Sequence, residues 1–268
     1  GSSRMPSLPV GDVTLYYETA GQGAPLLLLH GLGSSTQDWA LQLPVFAEAY
    51  RVVAVDMRGH GRSAHPSGPY SVPQFAADVA ELLTALDAAP AHVLGISMGG
   101  MVALQLALDR PELVRSLIVV NSYVSLRLET IGQRLEWLRR IFLIRALGMR
   151  RVGRFLAGRL FPEPGQAALR QTMIARWAAN DRRAYLATIR GLRGWDVRPR
   201  LTEIRQPVLV VGGDQDYTPV AEKAAYTARM PHARLEIIAN SRHATPVDQP
   251  ARFNVLALGF LAAAAGSG

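Results

Sequence analysis

The chain has 268 residues, 49% of them hydrophobic, which suffices for one large domain or for a core domain with an insertion. It contains no Cys, and this excludes disulfides, thiolate metal sites and Cys nucleophiles. The formal net charge is +8, and residues 127–205 alone hold 18 Arg and six acidic residues. Since no nucleic-acid-binding motif accompanies this excess, we interpret it as a solvated helical surface and expect no nucleic-acid partner.

Seven stretches are predicted to form strands. Residues 13–21, VTLYYETAG, alternate in polarity and end at a Gly, which is typical of an antiparallel strand. Six others are short continuous apolar runs, as expected of strands buried on both faces: residues 25–30, 51–56, 91–96, 115–121, 206–213 and 233–239. Helical patterns lie between most of these runs, including one over residues 36–49. The alternation predicts an α/β protein with a parallel sheet covered by helices on both faces.

One interval breaks the alternation of strands and helices. Residues 122–204 contain no convincing strand and carry four helical patterns in succession. We interpret this interval as a helical insertion, and residues 5–121 and 205–265 as the core domain that it interrupts.

The stretch GISMG, residues 95–99, places Ser97 between two glycines, after a buried strand and before a helical pattern. This context predicts a nucleophile elbow, a tight turn that presents the Ser hydroxyl at the edge of the sheet. A Ser hydroxyl needs a His to take its proton and an acid to orient that His. Ser97 is therefore the predicted catalytic nucleophile.

The predicted base and acid follow later strands, in the chain order Ser, acid, His that this architecture requires. His243 lies just beyond the strand at residues 233–239 and is the predicted base. The loop after residues 206–213 offers two carboxylates, Asp214 and Asp216. We favour Asp216, which lies far enough from the strand end to reach His243, and interpret Asp214 as an exposed carboxylate.

Two backbone N–H groups are predicted to bind the oxyanion. One belongs to Met98, directly after the nucleophile, and the other to Leu32 in the loop HGLGSS, residues 30–35. His30 is interpreted as ordering that loop. The remaining histidines outside the motifs are expected at the surface: His65, His92 and His232.

The chain resembles the α/β-hydrolase superfamily over residues 8–263. The resemblance rests on segments that occur in the family's order and spacing: HGLG, DMRGHGRS, GISMGG, GGDQDYTP and RHATPVDQP. It implies a mostly parallel eight-stranded sheet flanked by helices, with a helical cap, residues 122–204, inserted after the sixth strand to roof the site and set substrate choice. It also implies that DMRGHGRS, with His60, is scaffolding.

The resemblance leaves several reactions open. Relatives that act as dehalogenases or epoxide hydrolases carry Asp where this chain has Ser97, so acyl chemistry is favoured. A hydroxynitrile lyase of this fold would want an active-site Lys, and Lys223, the one Lys of the chain, lies on a predicted surface helix. We therefore predict a carboxylesterase that forms an acyl-enzyme on Ser97. A lactonase such as a 3-oxoadipate enol-lactonase, a cofactor-free perhydrolase or haloperoxidase, and a non-catalytic ligand receptor remain alternatives.

Aromatic side chains of the insertion are candidates for contact with substrate, namely Trp137, Phe142, Phe155 and Trp177. We expect no cofactor and no metal, and a small-molecule ester or lactone as the partner. The Arg-rich stretch over residues 136–161 could lie on an acidic membrane surface, but a cap helix accounts for the same pattern, so we expect no membrane partner. No signal peptide or span-length apolar run is evident, which predicts a cytoplasmic protein. The sequence leaves the oligomeric state open.

Overall fold

The computed structural model of the chain describes residues 6–266, and residue 5, where the core is predicted to begin, lies outside them. Eight strands form one sheet in the order β1-β2-β4-β3-β5-β6-β7-β8. Their bounds are β1 Ser7–Val10, β2 Val13–Ala20, β3 Pro25–Leu29, β4 Arg51–Val55, β5 Ala91–Ile96, β6 Val114–Val120, β7 Val208–Gly213 and β8 Ala233–Ile238.

The sheet is antiparallel at one side and parallel elsewhere. Strand β2 pairs antiparallel with both β1 and β4, and every pair from β4 through β3 to β8 is parallel. The predicted mostly parallel eight-stranded sheet is thus confirmed. Strand β1 was not among the predicted strands, since four residues that include Pro9 carry too little alternation to be recognised.

Nine α-helices accompany the sheet within the described residues. Their bounds are α1 Leu43–Phe46, α2 Val72–Ala85, α3 Met98–Asp109, α4 Ile131–Leu160, α5 Ala167–Ala178, α6 Arg182–Leu192, α7 Val220–Thr227, α8 Thr245–Asp248 and α9 Pro250–Ala265. The pattern over residues 36–49, predicted as one helix, forms a short 3₁₀ turn, Thr36–Trp39, followed by α1.

Both faces of the central strands β3 to β7 are buried, which explains their continuous apolar runs. Strand β8, also predicted to be buried on both faces, is instead a half-exposed edge strand in which Ile238 is buried. In β3, Leu27 and Leu29 pack with α2 and α3 on one face. Leu26 and Leu28 point to the opposite face and pack with α1 and α9. Side chains alternate between the faces of a strand, so burial on both sides removes the polar positions that a half-exposed strand would show.

His92 of β5 lies inside this core, contrary to the surface position expected from the sequence. Its side chain is buried, and its Nδ1 lies 2.7 Å from the Ser116 hydroxyl on β6. Burial, followed by the charge of Arg115, lowers the pKa of His92 to about 4. The ring therefore enters the core in its neutral form.

Helices α4 to α6 lie between β6 and β7, as predicted for the insertion. Helix α4 is interrupted at Gly148, where φ is +75°. A narrow stripe of α4, including Ile141 and Ile144, packs with α5 and α6 in a cluster separate from the two cores of the sheet. Much of the rest of α4 faces solvent. No helix among residues 6–266 is long and apolar enough to cross a membrane.

Candidate active site

Ser97 occupies a strained turn between β5 and α3. Its φ and ψ are 53° and −117°, a conformation that L-residues rarely adopt. Its N–H donates to the carbonyl of Val120, 2.9 Å away, which ties the turn to the end of β6. A Cβ on Gly95 would overlap the backbone of Gly99, and a Cβ on Gly99 would overlap the carbonyl of Leu29. Both glycines are therefore required for the turn to close.

Asp216 and His243 meet at the same edge of the sheet. Asp216 follows β7 and His243 follows β8, and His243 Nδ1 lies 2.8 Å from Asp216 Oδ1. The other candidate acid, Asp214, instead accepts the Ser241 N–H at 3.0 Å. The geometry thus brings together the two residues favoured from the sequence.

The Asp216–His243 contact determines which atoms remain available for chemistry. Burial raises the pKa of Asp216, but hydrogen bonds and charges from His243 and Lys223 outweigh burial, so the pKa lies below its ordinary value. An ionised carboxylate can only accept hydrogen bonds, so the proton of a neutral His243 ring is assigned to Nδ1. This tautomer leaves Nε2 as a proton acceptor.

Asn121 links the loops that carry these residues. Its side-chain amide N–H groups donate to the carbonyl of His243 at 2.8 Å and to the Thr245 hydroxyl at 2.8 Å. Its Oδ1 accepts the Gly213 N–H at the end of β7, at 2.9 Å. Sequence reasoning missed this residue, although a buried Asn directly after an apolar strand is a recognisable signal.

Ser97 lies beside these loops. Its carbonyl accepts the Ser122 hydroxyl at 2.7 Å, so the residues on both sides of β6's end, Val120 and Ser122, hold the turn. Within residues 6–266 the Ser97 hydroxyl makes no hydrogen bond with His243. Catalytic hydrogen bonds are often loose without substrate and tighten when it binds.

The loop with Leu32 lies against the Ser97 turn. A Cβ on Gly31 would come 3.5 Å from the Cβ of Ser97. Among residues 6–266, the N–H groups of Leu32 and Met98 have no acceptor in the protein. Two unsatisfied donors beside a Ser are available to an anionic oxygen.

His30 orders this loop, as interpreted from the sequence. Its Nδ1 lies 2.7 Å from the Gly31 carbonyl, and its Nε2 accepts the Met57 N–H at 2.9 Å. Burial lowers the pKa of His30 to about 4. Burial, followed by the charge of His30, lowers the pKa of the neighbouring His60 to about 3. Both rings are therefore neutral scaffold groups at neutral pH.

Lys223 does not lie at the surface, and the structure corrects that prediction. Its side chain is 0% exposed, and its Nζ lies 2.8 Å from Asp216 Oδ2. The prediction failed because a Lys on a short helix is ordinarily solvated unless a specific partner offsets its burial. Here that partner is Asp216.

The four aromatic candidates of the insertion occupy different environments. Trp177 is buried against the Leu32 loop, since a Cβ on Gly33 would come within 2.7 Å of its Nε1. Trp137 is half-buried and lies under the Arg193 guanidinium, 4.9 Å from the ring centre. Phe142 and Phe155 are 66% and 61% exposed. Contact of these aromatic side chains with substrate stays a prediction.

Tyr217 is a further residue of the site that sequence reasoning did not single out. Its ring stacks on His243, with the ring centres 4.2 Å apart and the planes inclined by 23°. The guanidinium of Arg159, from α4, lies 6.0 Å from the centre of the Tyr217 ring. A cation of the insertion thus approaches the His243 side of the site.

Comparison with known proteins agrees with this arrangement. Residues 26–255 match the model of the alpha/beta hydrolase family. The chain is 34% identical to 3-oxoadipate enol-lactonase 2 of Acinetobacter baylyi, over 92% of this chain and 93% of that protein.

Solved structures are similar over nearly the whole chain. An enol-lactonase from Burkholderia xenovorans shares the fold with a TM-score of 0.89 and 24% identity, over 96% of this chain and all of that one. The esterase RhEst1 from a Rhodococcus species gives a TM-score of 0.83 at 26% identity, over 96% and 97% of the two chains. The family match and the strained Ser turn lead to one conclusion: this chain belongs to the alpha/beta hydrolase family.

Proposed function

We propose that this chain is a serine hydrolase that cleaves carboxylic esters through an acyl-enzyme on Ser97. The observation that carries the proposal is the pair formed by Asp216 and His243, which stands at the sheet edge where Ser97 is held in its strained turn. Similarity to an esterase and to an enol-lactonase supports acyl chemistry.

In the first half of the proposed reaction, His243 Nε2 takes the proton of the Ser97 hydroxyl as its oxygen attacks the ester carbonyl. The resulting oxyanion accepts hydrogen bonds from the backbone N–H groups of Leu32 and Met98. Each such donor is typically worth about 3 kcal/mol of transition-state stabilisation. Collapse of this intermediate breaks the bond to the alcohol, which leaves with the proton from His243.

In the second half, water attacks the acyl group on Ser97 and His243 accepts a proton from that water. The same two N–H groups bind the second oxyanion, and His243 returns the proton to the Ser97 oxygen as the acid departs. Asp216 stays ionised throughout, orients the ring through Nδ1 and stabilises the transient imidazolium.

We also propose that α4, α5 and α6 act as a cap over the site, with residues 5–121 and 205–265 as the core. Contacts between α5, its following turn and the core support this arrangement. The Asn180 side-chain amide donates to the Gly33 carbonyl at 2.8 Å, and Arg176 pairs with Asp38 at 3.0 Å. These contacts hold the insertion directly over the loop that carries Leu32.

A lactone is the second candidate substrate. Formation of the same acyl-enzyme would open its ring, since the leaving alcohol of a lactone stays attached to the acyl group. The 34% identity to an enol-lactonase favours it. Arg159 beside Tyr217, and Arg140, which acts electrostatically on Tyr123, Tyr185 and Tyr217, would suit a substrate with a negative charge. Perhydrolysis, with peroxide in place of water, uses the same intermediate.

Fluorophosphonate labelling with a panel of substrates tests the proposal. Wild type should react stoichiometrically and hydrolyse p-nitrophenyl esters or an enol-lactone. Ser97→Ala should lose labelling and at least ~10⁴-fold in kcat, as nucleophile removal does in other serine hydrolases. Ser67→Ala, at an exposed loop serine, is the matched control and should behave as wild type.

Two results would contradict the proposal. Folded wild-type protein that neither labels nor turns over any ester or lactone would favour a ligand receptor. Hydrolysis that persists at full rate in Ser97→Ala would require a different nucleophile.

A further inference from the structure

Asp216 has a second partner besides His243. The Lys223 ammonium donates to Asp216 Oδ2 at 2.8 Å and to the Thr218 carbonyl at 2.7 Å. Both side chains of the pair are 0% exposed. The two carboxylate oxygens are thus divided: Oδ1 faces the imidazole of His243, and Oδ2 faces a buried cation.

The fold makes specific room for this cation. The Lys223 side chain runs from α7 across the end of β7, where a Cβ on Gly212 would come 2.7 Å from its Cδ. Any larger residue at 212 would displace the stem. Taking an ammonium out of water costs several kcal/mol unless partners compensate it, so a fully buried Lys needs a reason beyond filling space.

We propose that Lys223 is a positioning residue of the active site, which fixes the plane of the Asp216 carboxylate and allows His243 to act as a base at lower pH than Asp216 alone would permit. The proposal rests on the catalytic role of Ser97, Asp216 and His243 set out above. It adds a fourth side chain, contributed by α7, that contacts neither substrate nor Ser97.

The orienting effect follows from the geometry. A carboxylate held through one oxygen can rotate about its Cβ–Cγ bond, and this rotation would swing Oδ1 away from the ring of His243. Two short charge-assisted hydrogen bonds on opposite oxygens remove that freedom. Asp216 then offers His243 one acceptor in a constant place through both halves of the reaction.

The electrostatic effect has a definite sign. Without Lys223, the negative charge of Asp216 would be balanced only by a proton on His243, so the ring would hold that proton more strongly. With Lys223 in place, the carboxylate is already neutralised and the ammonium repels an imidazolium. Because the free base His243 is the active form, kcat/KM should persist to lower pH when Lys223 is present.

Other groups around Asp216 do not replace this cation. Tyr226 of α7, Tyr123 after β6 and Tyr217 feel the charge of Asp216, and all three are phenols. Arg140 of α4 acts on Tyr123 and Tyr217. Three acidic groups also lie nearby, namely Glu222 next to Lys223, Asp214 after β7 and Asp248 of α8. Two further cations lie on the His243 side, namely Arg242 next to His243 and Arg159 over the Tyr217 ring. Among residues 6–266, Lys223 is the Lys or Arg residue whose side chain bonds Asp216 directly.

Lys223→Met, which keeps the length of the stem and removes the charge, tests the proposal through the pH profile of kcat/KM. The midpoint of the acidic limb should rise by about one pH unit, the size of shift that one nearby buried charge produces. Below the limb this amounts to a ~10-fold loss of kcat/KM. Lys223→Arg, which keeps the charge, should return the midpoint towards the wild-type value.

A buried ion pair that contacts neither Asp216 nor His243 provides the control. Arg58 pairs with Asp78 at 2.7 Å, and both side chains are nearly buried. Arg58→Met removes a comparable cation and should lower the melting temperature without moving the acidic limb. If the midpoint of the acidic limb shifted equally in Lys223→Met and Arg58→Met, loss of a buried charge would act only through stability. That result would overturn the proposal.

Wild-type protein gives an independent reading, which decides the question if Lys223→Met does not fold. Since the chain contains one Lys, protein grown on ¹⁵N-lysine has a single Nζ resonance. Its chemical shift should change through the midpoint of the acidic limb, as His243 gains its proton. A resonance that stays constant through that pH range would overturn the proposal.

These outcomes separate the two levels of inference. Activity that survives Ser97→Ala contradicts the proposed function itself. Activity that depends on Ser97, together with an acidic limb unchanged by Lys223→Met, leaves the proposed function standing and removes Lys223 from it.

Discussion

Helices α3 and α4 show two ways in which one chain uses a helix. All but the last of the 12 residues of α3 are buried, because the helix packs between the sheet and α2 directly behind Ser97. Of the 30 residues of α4, six are buried. The core therefore holds the helix that follows the Ser97 turn by contacts all round, whereas the insertion is held by one stripe of contacts and can change its outer face at little cost.

The largest difference between the core and the insertion should appear in how their side chains respond to acidification. All six His residues lie outside residues 122–204, and His30, His60 and His92 are buried with pKa values lowered to about 4, 3 and 4. The unfolded chain, with ordinary pKa values near 6.5, binds protons first as the pH falls. The free energy of unfolding should therefore be fully retained above pH 6.5 and decline from there towards pH 4, by at least ~3 kcal/mol.

Denaturant unfolding at pH 7, 5.5 and 4.5 measures this decline. His92→Asn, which can still hydrogen-bond Ser116, should make it shallower, and His65→Asn at an exposed position should leave it unchanged. Equal slopes in wild type and His92→Asn would contradict the assignment of the decline to the core.

The second contrast concerns how tightly the core holds the loops that carry Asp216 and His243. Asn121→Ala removes the donors to His243 and Thr245 and leaves the Gly213 N–H without its acceptor. We expect a loss of about 3 kcal/mol in the free energy of unfolding. We also expect a ~100-fold loss in kcat, because small displacements of catalytic groups are costly.

Asn254→Ala is the matched control for Asn121→Ala, since the buried Asn254 also makes two side-chain hydrogen bonds, with Gln42 and the Leu41 carbonyl, and bonds neither Asp216 nor His243. Asn254→Ala should lower the free energy of unfolding and leave kcat unchanged. If both variants lost stability alone, Asn121 would be an ordinary core residue.

The smallest effects compare single side chains on the two helices. Leu104→Ala, in the centre of α3, should cost about 3 kcal/mol, as buried Leu truncations do. Phe142→Ala, on the exposed side of α4, should change the free energy of unfolding by less than ~0.5 kcal/mol. Chemical denaturation of the two variants measures both values, and a loss above 2 kcal/mol for Phe142→Ala would show that its ring is covered in solution.

The sequence predicted best what depends on strand position. Ser97 and Asp216 follow buried apolar strands and His243 follows the edge strand β8. Parallel strands bring their carboxyl ends to one edge whatever the details of packing. Asp216–His243 contact could be anticipated on that ground. The sheet and the helical insertion were predictable for the same reason, since burial on two faces leaves a clear pattern.

Features that depend on long-range partners were not predictable. The residues around Lys223 in the sequence are typical of a solvated helix. Its burial depends on the ion pair with Asp216 and on the space left by Gly212. Phe142 shows the converse case, since a large ring at helical spacing is typical of a packed face, yet it is 66% exposed because α5 and α6 cover only the neighbouring stripe of α4. Neither outcome can be read from local periodicity, because each is decided by what another segment offers.

The position of the insertion in the chain has a consequence for how the protein could be assembled. Leu32, Met98 and Ser97 precede residues 122–204, whereas Asp216, Lys223 and His243 follow them. Under the proposed mechanism, a polypeptide interrupted there yields one fragment with the attacking oxygen and another with His243, which takes its proton, and with the two residues that position His243. Hydrolysis would then report that the two fragments had joined through the parallel pairing of β6 with β7.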